Sequence, residues 1–582
     1  MRSVIGSQEP TGYARSKARE LMTDEERGTR NAERLVRSLS MDTDLTVPML
    51  LRRARAHFDD KRVVTRRPDG TMVRTTWAAT LERADRLSAV LQQLGVRPGE
   101  PVATLCWNHE RHLQAYAAVS AIGAVLHTLN LRLHPDELAW IANDAGDRIV
   151  LVDEELLPLL ESFRARTLVE QVIVLRTTGA TLPPGTLDYD ALLEQHGHAE
   201  PPAADLDERA AAAMCYTSGT TGRSKGVVYS HRALVLHSLM IATADVFGLR
   251  ERDVILPAVS MFHANAWGLP YAAPMVGADL VLPGRQLDAA TLLHLLTSER
   301  VTFTAGVPTV WLPLLELLDA APGRHDLSAL RKLVVGGAAL PEALLRGLVE
   351  RHRIPAEHSW GMTELAPVGT LSGLPSRLDD ATPGRRTSVA LRQGTPAPLL
   401  EIRARSDSGL IPWDDVAVGE LEVRGPIVSS GYHNLADTDG RFTEDGWFRT
   451  GDVVSIDRFG SIQIRDRAKD LVKSGGEWIS SVALENRLMN HPAVLEAAVV
   501  AVPHPTWLER PLAAVVLRPG QAATVEALQR WIEEVFPRWW IPEAVVFIDA
   551  IPRTSTGKFQ KTVLRDRFAG HYRDSHPASP PP

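Results

Sequence analysis

Cysteine is almost missing from this chain: its 582 residues hold two, Cys106 and Cys215. That excludes a disulfide scaffold and a cysteine-rich metal site. Lysine is scarce as well. Eight of the 64 cations are lysines, at positions 17, 61, 225, 332, 469, 473, 558 and 561. A coding bias toward arginine explains the shortage, yet the two cations differ chemically, so each retained lysine marks a position to inspect. There is no basic surplus: 64 Lys and Arg against 71 Asp and Glu give a net charge of −7. Nucleic acid and anionic membranes are therefore not expected as main partners. No run of about 18 apolar residues occurs, which excludes an expected membrane helix. Residues 1–31 lack the apolar centre of a secretion signal. These absences lead to the expectation of a soluble, cytoplasmic protein.

What is present is an ordinary globular balance, 44% hydrophobic and 23% charged, in a length suited to about four domain-sized units. Residues 1–42 read as a polar extension. From Leu45 onward, apolar stretches of strand length alternate with helical patterns. Pro101–Cys106, Arg148–Val152, Val172–Leu175 and Val254–Leu256 read as strands, and Leu87–Leu94 and His112–Ala121 as helices. The alternation predicts an α/β fold of mixed sheets covered by helices. Short Gly- and Pro-rich strands, Leu399–Arg403, Gly419–Val423 and Ser461–Ile464, predict a small β-barrel-like part. A boundary is expected near 465, followed by a small α+β domain. There Ser481 is expected to cap a helix to Met489, Ala497–Val502 to pair with Ala513–Leu517, and Thr524 to cap a helix to Phe536. The boundaries are 1–42, 43–466, 467–572 and a disordered tail, 573–582.

One segment carries a chemical signal by itself. An apolar strand, Ala211–Cys215, runs into Tyr216-Thr-Ser-Gly-Thr-Thr-Gly-Arg-Ser-Lys-Gly226. Glycines admit a close anion, hydroxyls and N–H groups supply donors, and Lys225 supplies charge, which makes a phosphate cradle. It is not the Walker loop, which needs Gly-Lys-Ser/Thr in succession.

This loop resembles the signature of the adenylate-forming superfamily: acyl- and aryl-CoA synthetases, luciferases and peptide-synthetase adenylation domains. Trp360-Gly-Met-Thr-Glu364, Thr450-Gly-Asp452, Arg465-Asp-Arg-Ala-Lys-Asp470 and Pro552-Arg-Thr-Ser-Thr-Gly-Lys558 follow in the family order, so the resemblance spans roughly 45–570. Segments 261–284, 302–312 and 472–486 are most like bacterial medium- and long-chain fatty acyl-CoA synthetases. The resemblance implies a large N-terminal adenylation domain and a small mobile C-terminal one. It implies ATP, Mg²⁺ and CoA as cofactors, a small carboxylic acid as substrate, and a homodimer.

The same resemblance assigns residues. Thr217, Ser218, Gly219, Thr220, Thr221, Gly222 and Lys225 surround the β- and γ-phosphates. Glu364, with Thr217, holds Mg²⁺. Trp360, Gly361, Met362 and Thr363 meet the nucleotide, with Trp360 stacked on adenine. Gly336, Gly337 and Ala338 run beside adenine and acyl group. Asp452 and Arg467 take the ribose or phosphate. Lys558 reaches the α-phosphate and the attacking carboxylate, and His263 lies against that carboxylate. Trp267 gates the acyl pocket. Lys469 is the hinge, and Lys473, Gly475 and Gly476 line the pantetheine path. Lys561 is left without a role. Two alternatives stay open: an aryl- or cinnamoyl-type acid, and an amine or nitrite in place of CoA. A non-catalytic nucleotide binder would be expected to lack charged positions that are all present: Lys225, Glu364, Asp452, Arg467 and Lys558.

Overall fold

The computed structural model describes residues 40–195, 205–217, 223–435, 440–467, 470–474, 477–553 and 559–572. The expected tail, most of the expected N-terminal extension, and the expected site residues Ser218–Gly222, Lys469, Gly475, Gly476 and Lys558 lie outside these ranges. Every element discussed belongs to one unit, residues 45–582.

Strands and helices alternate as the hydrophobic pattern predicts. A seven-stranded sheet runs in the order Leu187–Asp188, Gln171–Leu175, Ile149–Asp153, Pro101–Leu105, Val125–Thr128, Ala211–Tyr216, Gly226–Ser230. All its pairs are parallel except the last, where Gly226–Ser230 folds back on Ala211–Tyr216. The phosphate-loop segment thus joins two antiparallel strands at the sheet's edge. A nine-stranded sheet has a parallel centre that includes Val254–Pro257, Phe303–Gly306, Lys332–Gly336 and Ala356–Gly361. Val254–Pro257 and the Leu-Val-Val of Lys332–Gly336 are apolar runs, as sheets covered on both faces require. Gly336 and Gly361 end two adjacent strands on the same side. In an open α/β sheet such carboxyl ends are where a crevice forms.

The small antiparallel part is a five-stranded sheet made by Glu401–Ser406, Gly409–Leu410, Gly419–Arg424, Phe448–Ile456 and Ile462–Arg467. After residue 470 a separate sheet begins. Val494–His504 pairs with Leu508–Leu517 in a long hairpin; Ala544–Phe547 adds to Leu508–Leu517 in parallel, and Val472–Ser474, itself paired with Glu477–Ile479, meets the same strand at Leu508. Helices Ser481–Met489, Val525–Glu533 and Lys561–Phe568 pack against it. Thr524 caps Val525–Glu533 by accepting from the Ala527 N–H. The other cap differs from expectation by one residue: Ser480, not Ser481, accepts from the Ala483 N–H and opens Ser481–Met489. With two adjacent serines, either satisfies the sequence pattern for a cap. No described helix is long and apolar enough to cross a membrane.

Candidate active site

A cavity of about 480 Å³ opens at the carboxyl ends of the parallel strands, a size ordinary for a small-molecule site. His263, Trp267, Gly336, Gly337, Gly361, Met362 and Thr363 all line it, so seven sequence-expected residues from three segments converge there. Its remaining wall is largely apolar, including Val259, Val307, Val310 and Pro313. The exposed Arg132 and Asp288 mark a solvent side. Ala338 is the exception among the small residues expected in the pocket. It is exposed and absent from the lining, and its carbonyl accepts from His358 Nε2 at 3.2 Å.

Gly336 is required by close approach. A Cβ there would lie 2.9 Å from the Trp267 ring and 2.9 Å from the Ser359 carbonyl oxygen. Gly337 follows at φ +77°, a left-handed conformation that glycine adopts without strain. The Trp267 segment is strained in the same sense but without that relief. Ala264, Asn265, Ala266 and Trp267 have φ of 43°, 50°, 46° and 56° before Gly268 at 79°. Each non-glycine residue there costs about 1–2 kcal/mol, so the fold must impose the turn. Tyr116 Oη donates to Asn265 Oδ1 at 3.3 Å, and the Cys215 thiol donates to the same oxygen at 3.4 Å. Gly268 rests on His237, whose Nε2 accepts from the Val368 N–H at 3.2 Å. Burial drives the His237 pKa down to about 3, so this support is a neutral imidazole.

Polar groups gather beside the cavity. Asp452 is buried and has two partners: the Trp360 indole N–H at 2.8 Å and the Arg467 guanidinium at 3.2 Å. Asp452 and Arg467 stand opposite each other in the register of Phe448–Ile456 against Ile462–Arg467. Asp452 raises the Arg467 pKa above the usual arginine range, and Arg467 stays cationic. A carboxylate offers about four lone-pair directions, so two partners leave Asp452 capacity to accept more.

Around the hairpin turn, Thr217 and Lys225 grip each other through their backbones. The Thr217 N–H donates to the Lys225 carbonyl at 2.9 Å, and the Lys225 N–H to Thr217 Oγ1 at 3.2 Å. Tyr432, which sequence reasoning missed, joins two expected residues. Its hydroxyl donates to Glu364 Oε1 at 2.7 Å, and the Lys225 ammonium stands 5.1 Å from its ring centroid. The only hint was its place after the Gly/Ser-rich run Gly425–Gly431. Tyr229 fixes the same strip by donating to the Thr363 carbonyl at 2.6 Å. Glu364 is buried, and among the described residues its side chain accepts from Tyr432 at Oε1. One carboxylate beside a hydroxyl and phosphate oxygens is a donor set that suits Mg²⁺. Lys473 is exposed, and its N–H donates to Glu509 at 2.8 Å.

Another group among the described residues has metal-like composition. Cys106, His109 and Asp153 bring ligand-type atoms within 4.8 Å of one another. His109 Nδ1 accepts the His112 N–H at 3.1 Å, so its other nitrogen carries the proton and donates to Asp153 at 2.8 Å. A neutral imidazole then has no lone pair left for a cation. The group is a fold contact, in line with the absence of a cysteine-rich metal site.

Comparison with known proteins agrees with this geometry. Residues 51–433 match the family described as AMP-binding enzyme, and 483–558 its C-terminal domain. A long-chain-fatty-acid–CoA ligase of Thermus thermophilus is 48% identical over 538 residues, covering 92% of this chain and 98% of that one. A 3-methylmercaptopropionyl-CoA ligase of Ruegeria pomeroyi is 41% identical over 529 residues, covering 90% and 97%. Among solved structures, the anthranilate CoA ligase AuaEII in complex with anthranoyl-AMP superposes with a TM-score of 0.79 at 26% identity, covering 90% of this chain and 98% of that chain. The chain belongs to the AMP-binding, adenylate-forming enzyme family.

Proposed function

We propose that this chain is an AMP-forming acid–thiol ligase acting on a medium- or long-chain fatty acid. A carboxylate oxygen attacks the α-phosphorus of ATP, giving an acyl-adenylate and pyrophosphate. The thiol of CoA then attacks the acyl carbon and releases AMP. The observation that carries the reading is the junction of two unlike surfaces. A largely apolar cavity is lined by Gly336, Gly337 and Met362, and from there the chain continues through Thr363 to the polar set of buried Glu364 and Tyr432 with half-buried Lys225. An acyl chain suits the first and a nucleotide the second. The similarity to a long-chain-fatty-acid–CoA ligase supports an alkyl acid.

Catalysis of the first half is mainly positioning and charge stabilisation. Thr217 to Gly222 and Lys225 hold the β- and γ-phosphates. Asp452 accepts the ribose hydroxyls while its bonds to Trp360 and Arg467 fix its orientation. Trp360 and Gly361 to Thr363 meet the nucleotide. Lys558 approaches the α-phosphate and the carboxylate together, and His263 steadies the carboxylate. Glu364 and Thr217 would hold Mg²⁺, which when bound offsets charge on the phosphate oxygens. Lys469 is the hinge between 43–466 and 467–572, and Lys473, Gly475 and Gly476 line the CoA path.

The test is a product screen. The protein, ATP, Mg²⁺ and a panel of fatty, cinnamic and aminobenzoic acids are incubated with CoA. Pyrophosphate, AMP and acyl-CoA are expected in equal amounts with fatty acids of medium or greater length. Turnover of aryl acids alone, or pyrophosphate without acyl-CoA, would replace this substrate class or this nucleophile. In the same screen Trp267→Ala is expected to shift the chain-length preference, by about tenfold between the best and worst acids, while the KM for ATP holds. A large side chain that fills part of an apolar pocket sets which lengths fit. An unchanged profile removes Trp267 from the acyl path.

A further inference from the structure

Lys561 is a lysine in a chain that otherwise writes arginine, and no role in binding nucleotide, acid or thiol reaches it. It opens the helix Lys561–Phe568, with its side chain only 10% exposed. Its ammonium meets Glu485 Oε1 at 2.7 Å and Ser481 Oγ at 2.6 Å, both on the helix Ser481–Met489. Glu485 Oε1 also accepts the Val499 N–H at 2.7 Å, which anchors the pair to the C-terminal sheet. Ser481 continues the chain of contacts. Its N–H donates to Asp466 Oδ2 at 2.6 Å, and Asp466 Oδ1 accepts the Arg467 N–H at 2.7 Å. Arg467 in turn faces Asp452. A second strut runs beside it, from Arg565 on the same terminal helix to Asp470 at 2.7 Å. Ser480 Oγ donates to the Arg465 carbonyl as well.

The charge balance explains why a cation is needed. Burial works against the Lys561 ammonium, but the carboxylates of Glu485, Asp466 and Asp470 outweigh it and hold its pKa above the ordinary lysine value. Burial raises Asp466, and it lifts Glu485 to about 7 despite Lys561. Without the ammonium these buried acids would face one another with no cation between them, so Lys561 is what lets the two helices and the end of the strand Ile462–Arg467 meet. Lys558 lies three residues before Lys561 in sequence. An antiparallel bridge between Arg553 and Phe559 and the Gln560 N–H bond to the Pro552 carbonyl at 2.7 Å fasten the flanks of that run to the same helix start.

We infer that Lys561 is a positioning residue that holds the residues after 470 in one arrangement against the Asp452–Arg467 strand pair. This rests on the two-step reaction proposed above. The two steps need different groups at one adenylate, so a contact that favours one arrangement weights one step. Removing it changes the balance between the steps and not merely their sum.

The experiment measures the two steps separately on the full chain. The first is pyrophosphate release from ATP and dodecanoic acid without CoA. The second is acyl-CoA formation from supplied dodecanoyl-adenylate. In Lys561→Gln the ratio of the two rates is expected to move about tenfold from wild type, the scale of one charged hydrogen bond, and Lys561→Arg to return it to within about threefold. Ser481→Ala, which removes only the hydroxyl, is expected to move the ratio the same way by less, and it decides the matter if Lys561→Gln does not fold. A constant ratio, whether or not both rates fall together, overturns the inference. Wild type that fails at either step instead overturns the reaction itself, so the two failures are distinct.

Discussion

Lys558→Ala is expected to lower acyl-adenylate formation about 10³-fold, while CoA attack on a supplied acyl-adenylate changes by less than about tenfold. The asymmetry follows from where charge meets charge. In the first step an anionic carboxylate approaches a phosphorus bearing anionic oxygens, and the two cations described at the site are already engaged. Lys225 is tied to the hairpin turn and to Tyr432. Arg467 is engaged by Asp452. On the proposed reaction, Lys558 is the cation expected to offset that repulsion, since a compact ammonium suits a point between two anions. In the second step the thiol attacks the acyl carbon of an adenylate already formed, and no carboxylate has to approach phosphorus. Single-turnover measurement of each step gives the answer, and equal losses would contradict the role given to Lys558.

Glu364→Gln comes next in size. The amide keeps the shape and can still accept from Tyr432, but it removes the carboxylate charge that Tyr432 links to Lys225. Pyrophosphate release is expected to fall about 100-fold, and the Mg²⁺ concentration giving half-maximal rate to rise by about tenfold or more, because a neutral oxygen binds a hard dication more weakly. Titrating Mg²⁺ at saturating ATP and acid separates this from a folding defect. An unchanged Mg²⁺ dependence, with or without a lower rate, would assign Glu364 to structure. Tyr432→Phe is the natural control, since it keeps the ring under Lys225 and removes only the hydroxyl.

Lys225 was legible from chemistry alone, because a phosphate cradle needs glycines, hydroxyls and a cation in a tight local order, whereas Glu364 and Lys558 were marked by the family resemblance. Several strands were legible by pattern: Pro101–Leu105, Ile149–Asp153, Gln171–Leu175 and Val254–Pro257 form where short apolar runs predicted them. What the sequence hides is pairing at a distance. Asp452 and Arg467 are family-marked separately, yet only strand register sets them opposite each other. Tyr432 looks like an ordinary tyrosine until folding brings it between Lys225 and Glu364. Lys561 finds its Ser481 partner 80 residues away. The turn at Ala264–Gly268 was hidden in another way. Propensity argues against four successive non-glycine residues at positive φ, and only the buried partners of Asn265 and the seat on His237 explain why the fold accepts them.

The central claim is that the acid is activated at the α-phosphorus. Isotope transfer tests it most directly. Dodecanoic acid carrying ¹⁸O in both carboxylate oxygens is turned over with ATP, Mg²⁺ and CoA, and the products are weighed by mass spectrometry. One labelled oxygen is expected in the phosphate of AMP and one in the thioester, with none in pyrophosphate. Label in pyrophosphate or inorganic phosphate, or AMP without label, would contradict an acyl-adenylate and with it the assignment of the site.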